Sequence, residues 1–373
     1  MTSELSSLCS YAKGKVSVDT LSKRNYVSTE NMMPNKGGIV DAGALPSAQY
    51  TQQYIKDDIL VSNIRPYFKK IWMADDDGGC SNDVLVFRAD RGCDSTFLYY
   101  ILANDAFFNY ASATSKGTKM PRGDKTAIMQ YKVPCFNYET QLRIGKSLRS
   151  IDDRIAVNKK INDNLQQQAT AFFSSLYDRS NTEVRFTDLI QILGGGTPKT
   201  GENTYWNGNI AFFTPKDVGI PYTLITEKTI SKEGLSHCNS RLYPVNTVFV
   251  TARGTVGKVG MSGVPMAMNQ SCYALVGKET HQLLVYFYTL KAVDRLKHKA
   301  SGAVFDAITT RDFESEQIMK LSDDDATAFL RVAEPMFQEV LNNNIENLRL
   351  STLRDSLLPK LMSGEIDVSA VQL

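Results

Sequence analysis

The sequence predicts an α+β protein with two similar globular domains separated by a long antiparallel two-helix coiled coil, arranged as a pseudo-twofold internal repeat. Two long segments have helical apolar spacing, and each follows a block rich in Gly, Pro, Tyr, Phe and Thr with short β-like runs. Short motifs recur roughly 185–190 residues apart, and the 373 residues suffice for two domains. The predicted boundaries are 1–138 for the first domain, 139–183 for the first helix, 184–322 for the second domain and 323–373 for the second helix and tail.

The first long helix is predicted over residues 139–177, where steps of three and four residues separate the seam positions, as in a coiled coil. These positions are Leu148, Ile151, Ile155, Asn158, Asn162, Leu165, Ala169, Phe172 and Leu176. The second helix is predicted over residues 323–362, because three aspartates suit its positive N-terminal end and Gly364 suits its stop. Pro335 is expected either to open the main helix or to kink it.

Asparagines interrupt both helical seams near their midpoints. Asn158 and Asn162 lie in the first seam, and Asn343, Asn344 and Asn347 lie in the second. The midpoints of an antiparallel pair face each other, so we expect these amides to form a polar layer that sets the register. The alternative is that they face solvent.

The globular blocks repeat in the order of their short elements. In the first block the strand-like run Ile59–Ser62 precedes Arg65, and in the second block Val248–Thr251 precedes Arg253. Residues 115–118 correspond in the same way to residues 300–303. Each block closes with helical sequence, predicted at 97–110 and 281–297. The chain therefore contains an internal duplication.

Composition points away from an enzyme. The six cysteines form no C-x-x-C pair, and the three histidines lack metal-ligand spacing, so we expect reduced, mostly packed thiols and no metal. Glu202 follows Gly201 where a phosphate-binding loop needs lysine, and no dinucleotide or amino-methyltransferase signature is present. The second domain block is mildly basic, with 15 basic against 11 acidic residues, which permits nucleic-acid binding. The chain shows neither a signal peptide nor an apolar run long enough to span a membrane, so a cytoplasmic location is expected.

Several motifs resemble those of the DNA-specificity subunit of type I restriction–modification systems. In the second domain they are GGGTPK at 194–199, YW at 205–206, IAFFTPKD at 210–217, TARGTVGK at 251–258 and MNQS at 268–271. Residues 141–155 and 357–366 resemble the start and the end of the family's two helical regions. The first domain lacks the Gly-Gly-Thr-Pro opening and keeps a counterpart of the Arg253 segment around Arg65.

The resemblance implies a non-catalytic subunit that recognises a bipartite, asymmetric target in double-stranded DNA, one half per domain. The helices would fix the gap between the two halves of the target and would bind two methyltransferase subunits. Restriction motor–nuclease subunits would join this complex. S-adenosylmethionine, ATP and Mg²⁺ would bind to those partners, and no cofactor to this chain. Two alternatives remain open: a DNA-modifying enzyme, either methyltransferase or nuclease, with a fused recognition domain, and an elongated scaffold without DNA affinity.

The candidate DNA contacts are mostly cations near these motifs. They are Arg65, Lys116, Lys119, Arg122 and Lys125 in the first domain and Lys199, Lys216, Arg253, Lys258, Asn269 and Gln270 in the second. The four cations within residues 116–125, opposed there only by Asp124, predict a flexible phosphate clamp or, alternatively, a solvated loop. Arg65 and Arg253 could each donate two hydrogen bonds to guanine, or could form salt bridges.

The remaining candidates also have two interpretations. Asn269 and Gln270 could read adenine edges or cap a turn. Lys199 and Lys216 suit contacts to the DNA backbone, and Trp206 is expected in the core rather than as a stacking platform.

Overall fold

The computed structural model describes residues 2–219, 221–299 and 307–368. The chain divides into two compact units, one made of Met1–Ile155 with Arg349–Leu373 and the other of Ala156–Leu348. Both units mix helices and sheets, so the predicted α+β class is confirmed.

The first unit contains ten short strands and three short helices before the first long helix. In chain order they are β1 (Thr2–Glu4), β2 (Cys9–Tyr11), β3 (Lys15–Ser17), β4 (Tyr26–Val27), β5 (Tyr50–Tyr54), β6 (Ile59–Ser62), β7 (Ile71–Met73), β8 (Gly78–Cys80), β9 (Val84–Ala89), α1 (Ser95–Ala103), α2 (Asp105–Ala113), α3 (Lys125–Met129), β10 (Lys132–Pro134) and α4 (Tyr138–Arg179). The helix predicted over residues 97–110 is two helices, because Asn104 adopts an extended conformation and its side chain caps α2 through the amide of Ala106.

The main sheet of the first unit has the order β2-β9-β6-β7 and is antiparallel throughout. Its central strands β6 and β9 begin with apolar, largely β-branched runs that are buried on both faces. A second sheet has the order β3-β5-β8-β4, and β1 pairs with β10. Phe97, Leu98 and Phe107 of α1 and α2 pack with Ile59 and Phe87 of the main sheet in one core.

The second unit begins within α4. Its elements are β11 (Thr182–Arg185), α5 (Phe186–Leu189), β12 (Ile190–Gly194), β13 (Trp206–Phe213), β14 (Tyr222–Thr223), β15 (Lys228–Ile230), α6 (Lys232–Ser236), β16 (Val248–Thr251), β17 (Val259–Ser262), β18 (Met266–Met268), β19 (Cys272–Gly277), α7 (Gln282–Lys299), α8 (Thr310–Ser315), β20 (Gln317–Lys320) and α9 (Asp323–Ser363). The main sheet has the order β12-β19-β16-β17-β14, a smaller sheet has the order β15-β13-β18, and β11 pairs with β20.

The two units repeat one topology. The order β2-β9-β6-β7 corresponds to β12-β19-β16-β17, and the antiparallel pair β1-β10 corresponds to β11-β20. In both units a short helix, α3 or α8, directly precedes the last of these strands. The predicted internal duplication is therefore confirmed at the level of strand order. The predicted counterpart of residues 115–118, at 300–303, lies outside the described residues.

Both predicted long helices are present. Helix α9 begins with the three aspartates, and the Ser322 hydroxyl accepts a hydrogen bond from the amide of Asp325. It ends before Gly364, whose φ of 76° is the left-handed conformation that favours glycine at a helix end. Pro335 lies inside the helix rather than opening it.

The helices pair within each unit. In the second unit, Asn158 is hydrogen-bonded to Asn347 and Arg179 forms an ion pair with Asp325, so α4 and α9 run antiparallel there. In the first unit, Asp152 of α4 accepts hydrogen bonds from Tyr100 of α1 and Arg354 of α9, which links both long helices to the domain.

Candidate nucleic-acid interface

Four loop segments converge at one edge of the second domain, and we call them the second recognition edge. They are residues 194–199, 214–217, 252–258 and 268–271. The amide of Gly196 donates to the carbonyl of Met268 at 3.1 Å. The hydroxyl of Thr255 donates to the carbonyl of Pro215 at 3.2 Å. The motifs that resemble the specificity-subunit family are therefore joined in space, although 68 residues separate the end of the first segment from the start of the last.

Glycine permits the close approach of two of these segments. A Cβ added to Gly195 would lie 2.2 Å from the carbonyl oxygen of Asn269 and 2.6 Å from that of Met268. A Cβ on the preceding Gly194 would meet nothing within 4 Å. The Gly-rich sequence therefore serves backbone packing at this edge, as its interpretation as a turn predicts.

The cations at the second recognition edge have exposed side chains. Lys199, Arg253 and Lys258 form no ion pair with the residues that the structure describes. Lys216 is 82% exposed, and its Nζ lies 3.9 Å from Glu227, at the limit of an ion pair. These four positive charges are available to an anionic partner.

The two amide side chains are engaged by the protein itself. The Oδ1 of Asn269 accepts a hydrogen bond from the amide of Ser271 at 3.1 Å. The Oε1 of Gln270 accepts one from the hydroxyl of Thr197. The first contact lies within the turn at 269–271, as in the turn-capping alternative, whereas the second joins this turn to residues 194–199.

Trp206 is half-buried at the base of the same edge. Its indole Nε1 donates to the carbonyl of Lys199 at 3.1 Å, and its ring meets Phe212 edge-on at 5.5 Å between centroids. Trp206 therefore positions the segment that carries Lys199.

The first domain presents a corresponding edge, formed by residues 63–70 and 116–124, which we call the first recognition edge. The backbones of Lys116 and Arg122 exchange two hydrogen bonds of 2.8 and 2.9 Å, which closes a hairpin. The amide of Arg65 donates to the carbonyl of Pro121 at 2.8 Å. Arg65 and the cationic stretch, separate in the sequence, thus lie together. In the second domain, Arg253 makes the corresponding bridge to Ala307.

Carboxylates neutralise part of the first edge. Lys116 Nζ lies 2.5 Å from Asp124, and this hydrogen bond lowers the pKa of Asp124 and raises that of Lys116. Arg122 pairs with Asp83 at 3.1 Å, so a carboxylate from outside residues 116–125 also opposes these cations. Asp83 is close because the turn before β9 packs beside the hairpin.

The other two cations of that stretch differ in their surroundings. Lys119 is exposed and has no ion pair within the described part of the chain. Lys125 is the first residue of α3, and its Nζ lies 5.9 Å from the ring centroid of Tyr11. The stretch is therefore a closed hairpin followed by a helix, rather than a uniformly flexible loop.

The first edge also contains two aromatic side chains that the charge-based prediction missed. Tyr67 is 52% exposed and Phe68 is 38% exposed, two and three residues beyond Arg65. The signal in the sequence was an aromatic pair directly after an Arg-Pro step, in the connection that follows strand β6.

The seam asparagines meet inside the second unit. Asn162 Nδ2 donates to Asn344 at 2.9 Å, and Asn343 Nδ2 donates to the Oδ1 of Asn162 at the same distance. Asn158 Nδ2 donates to Glu346 at 2.7 Å and to Asn347 at 3.0 Å. Burial of Asn158, Asn162 and Asn343 is nearly complete, and we call this set of side chains the polar layer.

The described residues offer neither a metal-binding cluster nor a membrane-spanning helix. They contain no group of three or more His, Cys, Asp or Glu side chains that could hold a metal ion. None of their helices combines the length and the apolar character that a bilayer crossing requires. All six cysteines are free, and Cys9, Cys80 and Cys272 are buried.

Known proteins are similar to this chain in sequence. A model of the family described as "Type I restriction modification DNA specificity domain" matches residues 1–167 and 179–320. The HindI specificity subunit of Haemophilus influenzae is 28% identical over 48% of this chain and 40% of its own length. The MjaIX specificity subunit of Methanocaldococcus jannaschii is 29% identical over 32% of this chain and 29% of its own length. The chain therefore matches less than half the length of these relatives.

A crystal structure of a type I restriction–modification S subunit from M. genitalium has the same fold. It superposes with a TM-score of 0.65 over 97% of this chain and 96% of that chain, at 15% identity. The family match covers both copies of the repeat that the strand order reveals. This chain therefore belongs to the family of type I restriction–modification DNA specificity domains.

Proposed function

We propose that this chain is a non-catalytic DNA-binding subunit that recognises a bipartite, asymmetric target and directs methyltransferase and restriction subunits to it. The observation that carries the proposal is the second recognition edge, where four separate loops meet and leave Lys199, Arg253 and Lys258 without carboxylate partners in the described structure. The equivalent position in the first domain carries Arg65 and Lys119, so each domain would read one half of the target.

The charge pattern suits duplex DNA. Lysines that reach phosphates release counterions, which gives affinity and a strong dependence on salt. An arginine at a loop tip can donate two hydrogen bonds to the major-groove edge of guanine. Lys199, Lys216 and Lys258 would hold the DNA backbone, whereas Arg253 is the candidate for base reading.

The long helices would supply the spacing and the docking surface. In this proposal α4 and α9 set the gap between half-sites and bind two methyltransferase subunits, which restriction subunits then join. S-adenosylmethionine, ATP and Mg²⁺ would be held by those partners. The chain would act in the cytoplasm, where its DNA target is found.

Methylome sequencing of the host with and without the gene identifies the target. We then expect the full chain, co-purified with methyltransferase subunits, to bind that target with an affinity that falls steeply as salt rises, by a log–log slope of about −0.9 per phosphate contacted. Binding that is independent of salt, or equal for target and scrambled DNA, would contradict the proposal. Methyl transfer or DNA cleavage by the purified chain alone would favour the enzyme alternative instead.

A further inference from the structure

The first recognition edge contains a backbone conformation that needs external support. Arg65 has a φ of 50° and Lys69 a φ of 51°, both left-handed, and they flank the single 3₁₀ turn Pro66–Phe68. For residues other than glycine this conformation costs about 1 kcal/mol or more each. We call residues 65–69 the aromatic turn.

Contacts from two sides hold the aromatic turn in place. The amide of Asn35 donates to the carbonyl of Phe68, and that of Lys36 donates to the carbonyl of Lys69, both at 2.8 Å. Lys36 and Lys69 both pair with Asp105, at 3.0 and 2.8 Å. The hydrogen bond from Lys69, followed by that from Lys36, lowers the pKa of Asp105. The turn is therefore a fixed, braced feature.

The braced turn presents aromatic rings to solvent. The rings of Tyr67 and Phe68 lie 4.8 Å apart, and Lys70 Nζ lies 6.0 Å from the Phe68 ring. The Tyr67 hydroxyl has no hydrogen-bond partner among the described residues. In the described part of the second unit, no Phe, Tyr or Trp side chain is as exposed as either ring. The aromatic turn is strained, is held in place and exposes apolar rings. This combination indicates that the rings contact a binding partner and do not serve core packing.

Two cations of the first recognition edge have no carboxylate partner in the described structure. Arg65 forms no ion pair with described residues, and its backbone joins the hairpin that carries Lys119. Phosphate contacts by these side chains would bring the Tyr67 ring to the base edges. Thymine is the base that presents a methyl group in the major groove, and an apolar side chain is its complement.

We propose that Tyr67, supported by Phe68, contacts the thymine 5-methyl group in the half-site read by the first domain. This inference rests on the proposed DNA-binding function and adds a base-reading contact to it. The second domain has no equivalent, because its corresponding connection, residues 252–258, contains no aromatic residue.

Replacement of thymine by uracil tests the contact, because uracil differs by that methyl group alone. The full chain with its methyltransferase subunits is titrated against its target with every thymine of one half replaced by uracil. The first domain's half is the half that stays unchanged when residues 184–322 are exchanged. For the unsubstituted protein we expect about a fourfold loss of affinity per contacted methyl.

Three variants complete the experiment. Tyr67→Ala should bind thymine DNA more weakly and should not distinguish uracil from thymine in that half. Tyr67→Phe keeps the ring and should keep the discrimination. Tyr50→Ala removes a ring of similar exposure, 53%, in β5, outside the recognition edges and the long helices, and should behave as the unsubstituted protein.

Three results would overturn the inference. One is equal affinity of the unsubstituted complex for thymine and uracil DNA, and another is a uracil penalty that persists unchanged in Tyr67→Ala. The third is a change in 2-aminopurine fluorescence that depends on Tyr67, with no difference between thymine and uracil DNA. That result would mean that the Tyr67 ring inserts between bases and unstacks them. Specific target binding with no uracil effect refutes this contact alone, whereas loss of all specific binding refutes the proposed function as well.

Discussion

At the second recognition edge, some residues serve packing and others are exposed and available to bind DNA. Gly195 touches a neighbouring backbone, whereas Arg253 and Lys258 extend away from the core. Asn269 and Gln270 lie between these extremes, because their oxygens are used within the edge. Substitutions should therefore change stability at some positions and DNA affinity at others.

Gly195→Ala should disrupt the second recognition edge. Its new Cβ would lie 2.2 Å from the carbonyl oxygen of Asn269, which forces the two segments apart. We expect a loss of about 1–3 kcal/mol in the free energy of unfolding, measured in urea, together with weaker DNA binding. Gly194→Ala is the matched control, because open space surrounds its Cβ position, and it should be tolerated. Equal stability of the two variants would show that the close approach is not needed.

Arg253→Ala and Lys258→Ala should weaken DNA binding in different ways. If Arg253 makes a bidentate contact to guanine, its loss should cost about 1–3 kcal/mol of binding free energy and relax the preference at one base pair of the second half-site. Loss of a phosphate contact should weaken binding to all sequences and reduce the salt slope by about one. Titration of single-base variants of the target at several salt concentrations measures both effects. Lys232→Ala, at an exposed lysine of α6, is the control. If Arg253→Ala lowers the affinity equally for all DNA sequences, Arg253 contacts the DNA backbone and not a base.

At the scale of elements, the paired helices combine apolar seams with a buried polar layer. Asn162 uses both ends of its amide, donating to Asn344 and accepting from Asn343. Asn158 is less well satisfied, because its buried Oδ1 has no partner in the described structure. A layer of this kind favours one register over its neighbours, because a slip leaves amides unpaired.

Single and double substitutions in the polar layer should therefore have opposite effects on the free energy of unfolding. Asn162→Leu alone leaves the buried Nδ2 of Asn343 without its acceptor, and we expect a loss of about 1–3 kcal/mol in the free energy of unfolding. Asn162→Leu combined with Asn343→Leu removes both groups and should restore or raise stability. Alignment of the helices should loosen, measured as faster hydrogen exchange in α4 and α9. Strictly additive losses in the double variant would show that the two amides are not coupled.

At the scale of the whole molecule, one chain carries two copies of one topology and two long helices. The two main sheets have equivalent strand orders but different connections, with an aromatic turn after β6 and a Gly-containing turn after β16. If each copy reads its own half-site, these differences make the target asymmetric.

An exchange of residues 184–322 for the equivalent block of a relative should change one half of the target only. The reason is that the second recognition edge is built entirely from segments within that block. Methylome sequencing of cells that carry the chimaera reports both halves at once. A change in both halves would show that the copies do not read DNA independently.

A matched insertion should change the gap between the half-sites. Four residues added beside Asn162 and four beside Asn343 lengthen each helix by about 6 Å and keep the facing positions aligned. That length corresponds to roughly two base pairs of B-DNA. Both halves of the methylated sequence should stay the same while the gap grows. An unchanged gap, from a variant shown by circular dichroism to be folded, would mean that the helices are not a ruler.

The sequence by itself determined the two long helices, the internal repeat and the motifs of the second domain. These features depend on neighbouring residues: three-and-four spacing makes an apolar stripe, aspartates favour a helix start, and Gly364 provides a stop. The polar layer could also be anticipated, because antiparallel helices bring their midpoints together.

Only the tertiary structure decided which functional groups remain available. Arg122 is neutralised by Asp83, 39 residues away, and Gln270 is engaged by Thr197, 73 residues away. Neither pairing has a local signal, because folding brings distant loops together and their charges then compensate across space. The exposure of Tyr67 likewise depends on a turn held by Asn35, Lys36 and Asp105, which belong to other parts of the chain.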